Sequence, residues 1–179
     1  YAHDNGRYGV TASGADGLIV EYCRISGNNT AHYATDDDAG GTKFATAMSG
    51  VTVRYNWVHD NYGSGIWFDY QHSGVTIEEN VVENNRNWGI FYEASYGGTI
   101  IRRNALYNNA EGETSPSVNN ATQLLLSCCD ATLGGSPATV EVHNNLLDGT
   151  ARQMFCGDHS GHPYDGKGAY FHDNDVWLR

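Results

Sequence analysis

Positive charge is scarce in this chain. Among 179 residues there are two lysines, Lys43 and Lys167, and 10 Lys and Arg together face 21 Asp and Glu, for a formal net charge of −11. Phosphate backbones are bound by clustered Lys and Arg, so this balance argues against nucleic acid as a partner. No apolar run approaches the roughly 20 residues of a membrane-spanning helix, and none has the form of a signal peptide, so no membrane partner is expected. The four cysteines include no Cys-x-x-Cys and no Cys-His nucleophile pattern. Charged residues make up 17% and hydrophobic ones 40%, which excludes a disordered polyanion and a coiled coil. What is abundant is 22 Gly and 17 Asn against 3 Pro. Such a chain turns repeatedly, and its length suits one domain over residues 1–179.

The turns are periodic. GVTVRYNWVHDN from Gly50, GVTIEENVVENN from Gly74 and GTIIRRNALYNN from Gly98 follow one another at a 24-residue spacing without gaps. The template recurs as GLIVEYCRISGN from Gly17, TVEVHNNLLDGT from Thr139 and GAYFHDNDVWLR from Gly168, and His3, Asp4 and Asn5 match His59, Asp60 and Asn61. Val20, Val53, Ile77, Ile101, Val142 and Phe171 share one column; Ile25, Val58, Val82, Leu106, Leu147 and Val176 share another. Alternation in runs of three to five residues predicts short strands with one buried face, and both columns are core. Between them stand Cys23, Asn56, Asn80, Asn104, Asn145 and Asn174. Asparagine at one turn of every coil can take the left-handed conformation and hydrogen-bond its equivalents along the stack, which predicts an asparagine ladder. A further strand per coil is expected at YGVTAS, TKFATA, GIWFDY, GIFYEA and QLLLSC. There Phe44, Phe68 and Tyr92 point inward, while Lys43, Trp67 and Phe91, and Ala45, Asp69 and Glu93, point outward.

These columns resemble the right-handed parallel β-helix family, the pectate-lyase-like fold with an internal asparagine ladder. The resemblance covers nearly the whole chain and implies an all-β solenoid of about six to seven coils. Polysaccharide lyases, glycoside hydrolases, alginate epimerases, tailspikes and adhesins share this coil, so the fold alone does not choose among them. GIWFD and GIFYE are similar to segments of secreted bacterial β-helix repeat proteins, which implies an extracellular location.

Ladder intervals of 33, 24, 24, 41 and 29 residues mark three insertions. They hold AHYATDDDAGG; EGETSPSVNNATQ or DATLGGSP; and GDHSGHPYDGKG. Insertions of one stack can wall a groove whose floor is the uninterrupted coils.

Asp69 and Glu93, one repeat apart, are expected on adjacent coils about 5 Å apart. Two such carboxylates share protons unequally, which suits acid and base, or acid and nucleophile, roles on a glycosidic bond. Two solvated surface acids are the plain alternative. Trp67 and Phe91, outward and stacked, are candidate sugar platforms unless a loop roofs them. Tyr96, His72 and Gln71 lie at the ends of the same strands and are candidates to line the groove. Lys43 is a candidate base for a uronate-active enzyme, and Asp36, Asp37 and Asp38 could hold Ca²⁺, although no cofactor is required; a solvated loop with Lys43 as counterion is the alternative. Glu21, Arg54, Glu78 and Arg102 alternate in sign down one outward column, continued by His143 and His172, and are expected to set register. Arg103, one position on, is left to contact an anion.

Asp158, His159, His162 and Asp165 form a weak metal motif. Cys128 or Cys129 falls within disulfide reach of Cys156, which would imply an oxidising compartment, and Cys23 is expected as a free buried thiol. Asn28-Asn29-Thr30 and Asn120-Ala121-Thr122 match the glycosylation acceptor pattern.

Two functions are therefore expected in turn. The first is an extracellular polysaccharide-active enzyme of hydrolase, lyase or epimerase type, with a glycan as its partner. The alternative is a non-catalytic structural or adhesive solenoid that self-associates head to tail. Its support is that Tyr1 and Arg179 fall at nearly the same phase of the coil, which predicts a segment of a longer protein.

Overall fold

The computed structural model describes residues 1–111, 122–127, 139–149, 152–156 and 169–178. Every strand in them pairs in parallel, and the strands form three sheets, named here A, B and C in the order the chain enters them. Sheet A has seven strands and sheets B and C six each, so about six coils are wound. One coil passes through Trp57–His59 in A, Ile66–Asp69 in B and Thr76–Glu78 in C, then begins again at Val81–Glu83. This is a parallel β-helix.

The register follows the repeat. Val53 pairs with Ile77 and Ile77 with Ile101 in sheet C, and Val58 with Val82 and Val82 with Leu106 in sheet A. Sheet B aligns Phe44 with Phe68, Phe68 with Tyr92, and Tyr92 with Leu126. These three rows meet along the axis as one buried core. On the outside, Arg54 pairs with Glu21 at 2.8 Å and Arg102 with Glu78 at 2.8 Å. The alternating column sets register as expected, and His172 extends it by stacking on His143 and bonding Glu141.

The C/A corner carries the ladder. Asn80 Nδ2 donates to Asn104 Oδ1 at 3.0 Å and to the Val53 carbonyl at 2.9 Å, while its own Oδ1 accepts from the Asn56 backbone N–H and Nδ2, each at 3.0 Å. Asn104, Asn145 and Asn174 continue the chain of bonds. Cys23 closes the end by donating its N–H to Asn56 Oδ1, and its free thiol is half-buried where a buried one was expected.

Two features were not anticipated. The left-handed backbone belongs to the residue before the ladder asparagine: Tyr22, Tyr55, Glu79, Arg103, Asn144 and Asp173 have φ between 51° and 56°. The ladder amides lock the corner so tightly that bulky residues accept a conformation costing about 1–2 kcal/mol. A second ladder runs up the A/B corner, where Asn5 donates to Asn28, Asn28 to Asn61, Asn61 to Asn85, Asn85 to Asn109, and Asn109 to Gln123. Asn28 is therefore 1% exposed, a ladder rung and not a glycosylation acceptor.

Asn80→Ala leaves buried donors and acceptors on both neighbouring coils without partners, a loss of about 3 kcal/mol or more. Glu79→Gly, one residue earlier, removes left-handed strain together with a surface ion pair and should change stability by less than about 1 kcal/mol. Urea unfolding midpoints at constant slope measure both; comparable losses would show that the ladder does not dominate the corner.

Candidate active site

Sheet B presents two outward rows, and their phase is the one read from the sequence. Trp67 pairs with Phe91 and Phe91 with Leu125, while Ala45 pairs with Asp69, Asp69 with Glu93, and Glu93 with Ser127. Exposure is where the expectation fails. Trp67 is 2% and Phe91 0% exposed, and with Trp88 and Leu125 they form a second apolar cluster on the outer face. Trp67 stacks on Phe91 at 5.2 Å, and Trp88 packs on Phe91 at 4.2 Å. The first insertion brackets this cluster. The Asn87 amide donates to the Thr35 carbonyl at 2.9 Å, the Lys43 ammonium to the Asp37 carbonyl at 2.7 Å, and Arg7 pairs with Asp38. Leaving that much aromatic surface in water is costly, so the chain covers it itself. Trp67 and Phe91 are thus not open sugar platforms.

The expected carboxylate pair does assemble. Lys43 Nζ stands 3.1 Å from Asp69 Oδ2 and 3.6 Å over the Trp67 ring. Its remaining contacts are the Asp37 carbonyl and, at 3.9 Å, Asp38 Oδ1. An ammonium held this way is a counterion and not the free amine that a base requires, which corrects the base role expected of Lys43. On the neighbouring strand Trp67 Nε1 donates to Glu93 Oε2 at 3.0 Å. Burial, and then the Asp69 charge beside it, push the Glu93 carboxyl up to about 7; the Trp67 N–H and Lys43 pull it partly back. The Asp69 side chain is 30% exposed and forms the solvent-facing half of the pair. One carboxyl that holds its proton near neutrality, beside one paired with an ammonium, is a division of labour suited to proton transfer.

The other candidates are placed elsewhere. His72 is fully buried against Phe68, and its Nε2 lies 3.0 Å from the Phe44 and Asp69 carbonyls. Two carbonyl acceptors require the proton on Nε2, and burial lowers the pKa, so His72 is a neutral strut between coils and no groove residue. Tyr96 is half-buried in the turn after Glu93 and donates its backbone N–H to the His72 carbonyl at 2.7 Å. Arg103 is not free for an anion, because its Nη1 pairs with Glu79 at 2.9 Å. Asp36, Asp37 and Asp38 do not converge; Asp38 answers Arg7 and Lys43. Among the described residues no group of three His, Cys, Asp or Glu side chains is placed to hold a metal ion. The side chains of Cys128, Cys129, Cys156, Asp158, His159, His162 and Asp165 lie outside the described residues.

Trp88 escaped the sequence reading because it precedes its strand. The signal was its place just before GIF, next to two other aromatics of the repeat.

A carboxyl raised above its ordinary range favours the folded state at low pH. Glu93 contributes that stability fully below about 4.5, and it is lost as pH rises through about 7. Glu93→Gln should therefore be more stable than the parent by about 2 kcal/mol at pH 8, allowing for partial solvent screening, and indistinguishable from it at pH 4. Thermal unfolding across that range, with the Glu93 carboxyl carbon followed by NMR, measures it; a midpoint near 4.5 would show that burial does not control the group.

A family model described as the right handed beta helix region matches residues 1–106 and 39–176. No curated protein and no solved structure matches the chain. Three parallel sheets, stacked strands and an asparagine ladder agree with that match over nearly the full length, and the chain belongs to the right-handed β-helix family.

Proposed function

We propose that this protein cleaves a glycosidic bond of an extracellular polysaccharide, with Glu93 as the acid and Asp69 as its partner carboxylate. The observation that carries the reading is the asymmetric pair on adjacent strands, Glu93 capped by the Trp67 N–H and Asp69 held by Lys43. Glu93 delivers its proton to the leaving oxygen while Asp69 attacks the anomeric carbon. Water then cleaves the glycosyl ester, and Glu93 takes up the proton. Adjacent strands about 4.8 Å apart leave too little room for the water that an inverting pair encloses, which supports a retaining course.

The charge balance supports a neutral polymer. A lyase or epimerase needs a cation for the uronate carboxylate and a free base near the sugar C5 proton. Here Lys43 is committed to Asp69 and Arg103 to Glu79.

Reducing ends released from a panel of neutral and uronate polysaccharides test the proposal. Asp69→Asn and Glu93→Gln should each lower cleavage by about 10²–10⁴-fold. Activity of the parent should decline as pH rises through about 7, where Glu93 loses its proton. Activity in both variants equal to the parent's would sink the assignment. No cleavage at all, together with head-to-tail fibres in electron microscopy, would leave a structural solenoid.

A further inference from the structure

A recess opens at the A/B corner, on the opposite edge of sheet B from the carboxylate pair. It has a volume of about 420 Å³ and is lined chiefly by Asp60, Tyr62, Asn84, Arg86, Asn108 and Glu111, over the ladder residues Asn61 and Asn85. Its origin is the repeat itself. The coils through Asn61 and Asn85 turn directly into sheet B, whereas the coil through Asn28 carries the first insertion at this corner. His32 of that insertion packs edge-on against Tyr62 at 4.2 Å, and Glu111 stands at the far side.

The lining is periodic and mixed. Asp60, Asn84 and Asn108 follow sheet A residues that pair in register, so their side chains repeat at one coil rise, about 4.8 Å. All three have left-handed φ, of 55°, 53° and 49°. Glycine fills the same position at Gly27, with φ of 62°, so the corner itself does not demand a polar side chain. Among the described residues the side-chain amides of Asn84 and Asn108 make no hydrogen bond within the protein, and Asn84 is exposed. Arg86 lies 4.5 Å over the Tyr62 ring, and Asp60 Oδ2 is held at 2.6 Å by His59 Nδ1. Beneath them the ladder amides fix the floor at 2.8 Å from Asn61 to Asn85 and 2.9 Å from Asn85 to Asn109.

We infer that this corner recess binds one neutral sugar ring of a glycan, through the side-chain amides of Asn84 and Asn108 and the Asp60 carboxylate, which bond its hydroxyls. Amides both donate and accept, as hydroxyls do, whereas the Asp60 carboxylate on the lining disfavours an acidic sugar. The volume lies within the roughly 300–1,000 Å³ of small-molecule sites, and the rigid floor lowers the ordering cost. The inference deepens the glycan reading given above, but it requires no chemistry at Asp69 or Glu93.

The test is NMR titration of the catalytically silent Glu93→Gln protein with single neutral hexoses, pentoses and their β-linked disaccharides, and with glucuronate. Side-chain amide signals of Asn84 and Asn108 should shift with at least one neutral sugar at about millimolar affinity, and not with glucuronate. In the Asn84→Gly/Asn108→Gly protein the backbone keeps a conformation glycine favours, so unfolding should be unchanged while binding weakens at least tenfold. Absence of any amide shift across the neutral panel, binding retained in the double variant, or preference for glucuronate would each overturn the inference. Sugar binding here without polymer cleavage by the parent would remove the catalytic proposal alone; cleavage without binding here would remove only this site.

Discussion

The side-chain amide of asparagine, stacked coil on coil, is the interaction on which the rest of this structure depends. A parallel coil buries corners whose backbone N–H and C=O groups point along the axis, and each must find a partner. Asn supplies both halves in one planar group, so a column of them satisfies its own corner and the next. The strength of that constraint is visible beside it. Tyr22, Tyr55, Glu79 and Arg103 occupy left-handed backbone because the ladder leaves no other path. The outward ion pairs, the aromatic rows and the core rows all inherit their alignment from this fixed rise.

Much of this was legible because a period of one coil turns sequence columns into spatial rows. Val53, Ile77 and Ile101, or Phe44, Phe68 and Tyr92, need no side-chain detail to be placed, since alternation decides in or out and spacing decides who pairs. The second ladder was written in the same columns, as the last residue of each template at Asn28, Asn61, Asn85 and Asn109, but an Asn among turn residues carries no mark of burial. Exposure was the quantity hidden from the sequence. Trp67 and Phe91 face outward as alternation requires, yet both are buried, and the first insertion, which reaches Asn87 near them, has no periodicity to say how the chain folds back. For the same reason His72 could be placed at the end of its strand but not inside the turn.

The covering of those aromatics has a chemical consequence. An open strip would leave Glu93 in water, an ordinary surface acid. The roofed cluster of Trp67, Trp88 and Phe91 takes solvent from one side of its carboxyl, and the indole N–H of Trp67 holds it in place. Lys43 lies over the same indole and binds Asp69, so a single ring positions both members of the pair. Burial and Coulomb repulsion then act on Glu93 in the same direction, with the ammonium as the smaller opposing force.

A solenoid separates what must repeat from what is free to differ. Ladder and core rows cannot change without disturbing two neighbouring coils, whereas outward rows and corner insertions answer only to solvent or ligand. Apart from Cys23 and Gln123 at ladder ends, these departures from the repeat fall on such positions: Lys43 where later coils have Trp67 and Phe91, Asp69 and Glu93 where an earlier coil has Ala45, Asn84 and Asn108 where another has Gly27. Both candidate sites flank the covered strip of sheet B, one at each of its edges. Because the first insertion reaches Lys43 on one side and Tyr62 on the other, its placement sets the surroundings of both. The carboxylate pair at one edge and the corner recess at the other thus both touch the first insertion, on a scaffold that the asparagine columns hold fixed.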